Sequence, residues 1–374
     1  YTNSIRLWQE LARRENVIDI ISKKGRKIKG KWKLHKKTRL WRKQMKKKEV
    51  LALTALLLVC VFGISACKKN VGTPEDNPQV KEETDEEEQE KYTFGFSGIT
   101  MENPYFITLE SSIRETLEKD GHTLITEDPK QDPDVQVEQI EDMIDQGIDA
   151  IFLTPVDWEA ITPALEELKE ADVKIINVDT QVKEFDYVDA YIGSDNKNAG
   201  YLCGKDLVEK LPEGGKVLIL ECPTMNSINE RITGFEEAIA DKGFEVVGRS
   251  DTKGDLNTAL SAAETLLKEH PDVSAIMCGN DPTALGALVA ANAAQLQNVY
   301  IYGVDGSPEI KKELEKENSL IAATGGQSPI EIGKESAKVA LSVLNKEKYA
   351  RITYEETFLI NKDNLEMYGV DGWQ

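Results

Sequence analysis

From Tyr92 to about Asn364 the chain alternates between two hydrophobic patterns. Short, near-continuous apolar runs, such as AIFL at 150–153 and KVLIL at 216–220, precede longer stretches with apolar positions at helical spacing. The short runs predict strands at 92–96, 123–126, 150–153, 174–179, 190–192, 216–220, 245–248, 275–278, 300–304, 321–324 and 357–360. The longer stretches predict helices, among them 105–119, 135–146, 160–170 and 228–242. Strands that are apolar on both faces fit parallel sheets covered on each side by helices. Repeated β-α units of this kind imply an α/β chain of doubly wound parallel sheets. Such sheets bind ligands beyond the carboxyl ends of their strands, where the strand order reverses. Chemistry is therefore expected just after each strand.

Upstream, the pattern is of another kind. Lys46, Lys47 and Lys48 precede an uncharged apolar run of 17 residues, Val50–Ala66, which ends in Ile64-Ser65-Ala66-Cys67. A basic segment, an apolar segment and a small-residue site are the three parts of an export signal. The run is just under the roughly 18–20 residues that span a bilayer, which weakens the alternative of an uncleaved anchor. With a cysteine directly after the cleavage site, the segment resembles the lipobox of bacterial lipoproteins. That resemblance implies a signal peptide at 45–66 and lipidation of Cys67. Residues 1–44 are basic and without clear periodicity. They are read as a non-native extension upstream of a start at Met45, in preference to a nucleic-acid-binding or membrane-binding arm. Residues 67–91, including KEETDEEEQEK at 81–91, carry almost no large apolar side chains. They are expected to form a disordered acidic tether that its own charge keeps extended.

Charge changes the picture once the signal is set aside. The chain has 46 basic and 66 acidic residues, of which 18 and 4 fall in 1–66, leaving 28 basic and 62 acidic and a net charge of −34. Nucleic acid is disfavoured as a partner. About 280 residues remain for the folded part, enough for two domains. Cys203, Cys222 and Cys278 stand singly in or beside apolar segments, without CxxC pairs, so buried free thiols are expected and a metal site is not.

The strand ends share one kind of chemistry. Ser97 and Asn103-Pro104-Tyr105-Phe106 follow the first strand, and Thr154-Pro155 the third. Asp179 ends the fourth, Arg231 lies shortly after the sixth, and Asn280-Asp281 follow the eighth. Asp305 ends the ninth and Gln327 follows the tenth. Carboxylates, amides and a guanidinium meet hydroxyls through charge-assisted or bidentate hydrogen bonds. Flat aromatic rings cover the apolar face of a sugar. There is no nucleophile–base pair and no phosphate-cradling GxGxxG or P-loop, and His35, His122 and His270 all lie away from strand carboxyl ends. The set suits binding of a neutral polyol, with no catalytic residue and no cofactor. Taken singly, several residues have plainer readings: Asp195 and Asp281 as helix caps, Tyr105 and Phe106 as a hydrophobic staple.

Several motifs occur in one order: NPYF at 103–106, VDTQ at 178–181, IGSDN at 192–196, NERITGF at 229–235, HPDVSAIMCGND at 270–281, GVDG at 303–306 and AATGGQSP at 322–329. On these the region resembles the ribose-binding family of periplasmic sugar-binding proteins, the type I solute-binding components of ABC importers. The resemblance implies two doubly wound parallel-sheet lobes joined by a three-crossing hinge, with one sugar clamped between them. The crossings fall near 194–195, 327–328 and 355–357. Lobe 1 would comprise 92–194 plus 328–356, and lobe 2 195–327 plus 357–374. The implied ligand-binding residues are Asn103, Tyr105, Phe106, Thr154, Asp179, Arg231, Asn280, Asp305 and Gln327, with Ser97 as a further candidate.

Two departures bear on the ligand. Ribose binders carry an arginine where this chain has Thr180 and an aromatic where it has Gly254, and the loop before Asn103 is two residues longer. Trp158 is the candidate to restore the missing aromatic wall. The expected partners are a small sugar-like ligand and ABC permease subunits, the protein being a monomer held on the outer face of the cytoplasmic membrane by its lipid alone. The alternative is a receptor that presents its ligand to a sensor kinase or chemoreceptor. A repressor core of similar fold lacks an explanation for the export signal.

Overall fold

The computed structural model describes residues 90–374; the extension, the export signal, Cys67 and all but the last two residues of the tether lie outside the described residues. The first sheet is built from β1 (Thr93–Ser97), β2 (Thr123–Glu127), β3 (Ala150–Leu153), β4 (Lys174–Val178), β5 (Ala190–Ser194) and β11 (Ile352–Glu355). The second contains β6 (Gly215–Glu221), β7 (Phe244–Asp251), β8 (Ala275–Cys278), β9 (Tyr300–Asp305), β10 (Ile321–Gly326) and β12 (Phe358–Asn361). Their orders are β2-β1-β3-β4-β5-β11 and β7-β6-β8-β9-β10-β12, so each strand of one sheet has a counterpart in the other. Every neighbouring pair is parallel except β12 against β10. The two lobes of the type I periplasmic binding fold are thus present.

Central strands follow the apolar runs closely because they are buried on both faces: every residue of β3 and β8 is inaccessible. The edge strand β11 was not expected from the sequence. Its residues ITYE alternate between exposed and half-buried, and the strand exists because it pairs with β5. The predicted final strand at 357–360 appears as β12 at Phe358–Asn361. The predicted fourth strand stops one residue early, at Val178, because Asp179 turns to φ +64°.

Helices cover the faces: α1 (Pro104–Lys119), α2 (Pro133–Gln146), α3 (Thr162–Glu170), α4 (Asn196–Lys210), α5 (Asn226–Ile239), α6 (Leu256–Glu269), α7 (Asp281–Ala293), α8 (Pro308–Glu315), α9 (Pro329–Leu344) and the short α10 (Leu365–Tyr368). Proline opens α1, α2, α8 and α9 behind Asn103, Asp132, Ser307 and Ser328. The chain passes between the sheets from β5 to α4, from β10 to α9 and from β11 to β12. Two crossings are laced together: the Asp195 amide donates to the Glu355 carbonyl at 3.1 Å, and the Thr357 hydroxyl to the Asp195 carbonyl at 3.1 Å.

Candidate functional site

The carboxyl ends of both sheets face one cleft, which encloses a cavity of about 270 Å³. That lies near the lower end of ligand pockets, roughly 300–1,000 Å³, and fits a small molecule. Asp179 and Asp305 stand at equivalent places, after β4 and at the end of β9, and both turn the backbone to positive φ, +64° and +150°. The turn at each strand end sets a buried carboxylate at the cavity wall.

Arg231 is the cation among these acids. α4 and α5 meet backbone to backbone, because a Cβ on Gly200 would fall 1.8 Å from the Arg231 carbonyl oxygen and one on Gly234 would fall 1.9 Å from that of Lys197. This contact seats Arg231, which donates from Nε to Asn196 Oδ1 at 2.8 Å and from a terminal nitrogen to the Gly279 carbonyl at 2.9 Å. The same terminal nitrogen lies 3.6 Å from Asp305 Oδ1, with both side chains about 95% buried. Burial pushes the Asp179 carboxyl upward, opposed by Arg231. Burial and the neighbouring Asp281 hold Asp305 well above the usual carboxylate range, again opposed by Arg231.

Tyr105 and Phe106 enter from the start of α1, their rings edge to face at 5.4 Å. Asn103 caps that helix by accepting from the Tyr105 amide at 3.0 Å. Asn280 caps α7 and donates to the Gly254 carbonyl at 3.0 Å. Asn103, Tyr105, Phe106, Asp179, Arg231, Asn280 and Asp305 all border the cavity. The Tyr105 hydroxyl, Asp179 Oδ1 and Gln327 Oε1 are buried without a hydrogen-bond partner. Orphaned buried polar atoms are costly, and two of these, on Tyr105 and Asp179, belong to residues that border the cavity, where a polar ligand can satisfy them.

Four expected residues do not border the cavity. The Thr154 hydroxyl donates to the Val178 carbonyl at 2.8 Å, bracing the strand end before Asp179. Gln327 lies behind Asp305, donating to its Oδ1 at 2.9 Å. The Ser97 hydroxyl accepts from Gln136 Nε2 at 3.0 Å. Trp158 is half-buried under Lys183, and its amide donates across the cleft to the Thr224 carbonyl at 3.0 Å. Asp281 is not a cap either. Asn280 holds that position, while Asp281 accepts from the Ser307 amide at 2.8 Å and the Thr324 hydroxyl at 2.7 Å. Asp195 does cap its helix, accepting from the Asn198 amide at 3.0 Å.

Other contributors were missed. Trp373 borders the cavity from the far end of the described chain, where no strand or motif pointed to it. Gly254 cannot carry an aromatic without strain, since its φ is +65° and an added Cβ would lie 3.1 Å from the Asn280 amide nitrogen. Thr180, in place of an arginine, meets Ser227 of the other lobe, hydroxyl to hydroxyl, at 2.6 Å. Gln136 ties β1 to β3 through Ser97, Gly98 and Thr154. Its lone place in an amphipathic helix gave no signal.

Residues 94–348 match the family described as periplasmic binding protein domain. The ribose import binding protein RbsB of Bacillus subtilis (strain 168) is 30% identical over 298 residues, covering 79% of this chain and 94% of that protein. Among solved structures, an ABC transporter solute-binding protein of Mycobacterium smegmatis with bound glycerol aligns at a TM-score of 0.72 and 26% identity, covering 76% of this chain and all of that one. A periplasmic solute-binding protein of Actinobacillus succinogenes with bound D-allose aligns at 0.68 and 27%, covering 74% and 100%.

Proposed function

From the premise that this chain belongs to the periplasmic binding protein family, we propose that it captures a monosaccharide or related polyol between its lobes and delivers it to the permease of an ABC importer. The observation that carries this reading is the convergence of orphaned polar atoms of Tyr105 and Asp179 with the Arg231–Asp305 pair and aromatic faces in one cavity. Asp179 and Asp305 accept from ligand hydroxyls, Arg231 and Tyr105 donate, and the rings cover C–H faces. A ligand touching both lobes favours the closed arrangement by its differential contacts, and Thr180 with Ser227 adds a direct link across the cleft. A micromolar affinity is about −8 kcal/mol, or roughly 0.7 per heavy atom for a ligand of about 10–12 atoms. Non-covalent contacts suffice for that.

The signal at 45–66 supports export, and Cys67 supports a lipid anchor on the outer face of the cytoplasmic membrane. The test is a thermal-shift screen of the protein against pentoses, hexoses and polyols, together with membrane fractionation of a Cys67→Ser variant. We expect stabilisation by at least one such ligand and release of the variant from the membrane. No stabilisation across the panel refutes the ligand class. A variant that stays on the membrane refutes the anchor.

A further inference from the structure

We propose that Trp373 contacts the ligand and sets its specificity, forming an aromatic platform for the C–H face of a ring polyol, and that Lys311 is the positioning residue that holds it there. This rests on the binding function above and assigns one wall of that site.

Segment 369–374 is tied to the second lobe at several points. The Gly369 amide donates to the Leu365 carbonyl at 3.1 Å, and the Gln374 side-chain amide to the Tyr368 carbonyl at 3.1 Å. Lys312 on α8 faces Asp371 at 3.5 Å. Lys311, also on α8 and fully buried, donates from Nζ to the Gly372 carbonyl at 2.5 Å, one residue before Trp373. A buried ammonium is costly unless it is hydrogen-bonded. Here that bond fixes the backbone next to the indole.

The indole itself reaches the first lobe. It meets Tyr105 edge to face, with ring centroids 5.8 Å apart and planes at 75°, and it borders the cavity. Trp373 is the aromatic side chain that the second lobe brings to the cavity; the others, Tyr105 and Phe106, come from α1. The remaining apolar lining of the second lobe is aliphatic, including Met225, Ile228 and Leu256. An indole offers a ring polyol a flat face that these side chains do not. An open-chain polyol such as glycerol has no ring face to lay against it.

The full chain is titrated calorimetrically with D-ribose, D-allose and glycerol, with tryptophan fluorescence followed in parallel. Trp373→Ala should weaken the better ring ligand about tenfold and glycerol less than about twofold, with most of the loss recovered in Trp373→Phe. The ligand-dependent fluorescence change should vanish in Trp373→Phe and persist in Trp158→Phe. Lys311→Met should weaken the ring ligand and add little on the Trp373→Ala background. Should Lys311→Met fail to fold, Lys311→Gln, which keeps an N–H donor, is read in its place. Equal ring-ligand affinity in wild type and Trp373→Ala, or equal losses for ring ligand and glycerol, overturns the platform alone. Additive losses overturn the role of Lys311. A wild-type chain that binds neither D-ribose nor D-allose overturns the platform for these rings, while the binding function beneath it falls only if the wider panel of pentoses, hexoses and polyols also fails.

Discussion

The two lobes place an aspartate at the same point of the same strand order, yet they surround it differently. Asp305, on the second lobe, accepts from Gln327 at 2.9 Å and from the Asp281 amide at 3.3 Å, and lies 3.6 Å from the Arg231 guanidinium. Asp179, on the first, accepts from Thr180 at 3.2 Å and leaves Oδ1 buried and unpartnered, with the Tyr105 hydroxyl as its polar neighbour. One lobe holds a charge network largely satisfied by the protein itself. The other presents rings and open hydrogen-bonding capacity. A symmetric scaffold thus carries two unlike half-sites, one whose aspartate is held in a charge network and one whose aspartate keeps an unpartnered oxygen.

The comparison breaks most severely at Arg231. Arg231→Ala leaves Asp305 buried without its cation, and removing one partner of a buried pair costs about 3–5 kcal/mol. Chemical denaturation at neutral pH should show a loss of that order and part of it should return on acidification, as the carboxylate protonates. Unchanged stability contradicts the network as described. Ligand-induced stabilisation should vanish as well.

Next come the two aspartates. Both carboxyls are raised, Asp305 the more strongly, so folding favours their protonated forms. The stabilising contribution of such a group is complete below its unfolded pKa, about 3.9, and is lost as pH rises through its folded value. The contribution of these two groups to the stability of the ligand-free protein therefore grows as pH falls from 7, and Asp305→Asn should flatten that part of the pH dependence. Asp179→Asn should do the same more weakly. Each should weaken ligand binding by about tenfold or more, since hydrogen bonds to charged groups contribute about 1.5–3 kcal/mol. Melting curves that are equally pH-dependent in wild type and Asp305→Asn contradict this assignment.

The smallest effect is expected where the lobes touch directly. Ser227→Ala removes the partner of Thr180 across the cleft, a hydrogen bond of about 0.5–1.5 kcal/mol net. If that bond favours closure, ligand dissociation should accelerate by about threefold to tenfold, with association little changed. Stopped-flow release kinetics decide it, and an unchanged rate removes the contact from the closing equilibrium.

How much of this was readable differs from residue to residue. Central strands were legible because burial on both faces writes an apolar run into the chain, as in AIFL and AIMC. The strand β11 was not, because its ITYE owes its pairing to a neighbour rather than to its own pattern. Asp179, Arg231 and Asp305 were found by position, since each lies at or shortly after a strand's carboxyl end. Thr154, Gln327 and Ser97 occupy such positions too, but the Thr154 and Ser97 hydroxyls and the Gln327 amide nitrogen bond to the protein itself and none of the three borders the cavity. Trp158 was a candidate for the aromatic wall, and Trp373 is the tryptophan that borders the cavity. Helix spacing near a strand end says nothing of a segment about two hundred residues further on.

The sequence by itself determined the alternation of strands and helices, hence two parallel sheets with ligand chemistry at their carboxyl ends, because hydrophobic periodicity is a local property. Its order of motifs pointed to the family. Only the tertiary structure decided which strand-end groups are spent on the protein and which are left open toward the cleft, and that Thr180 and Ser227 meet across it. Those outcomes depend on the distances and directions of groups far apart in the chain, and no local pattern of residues encodes them.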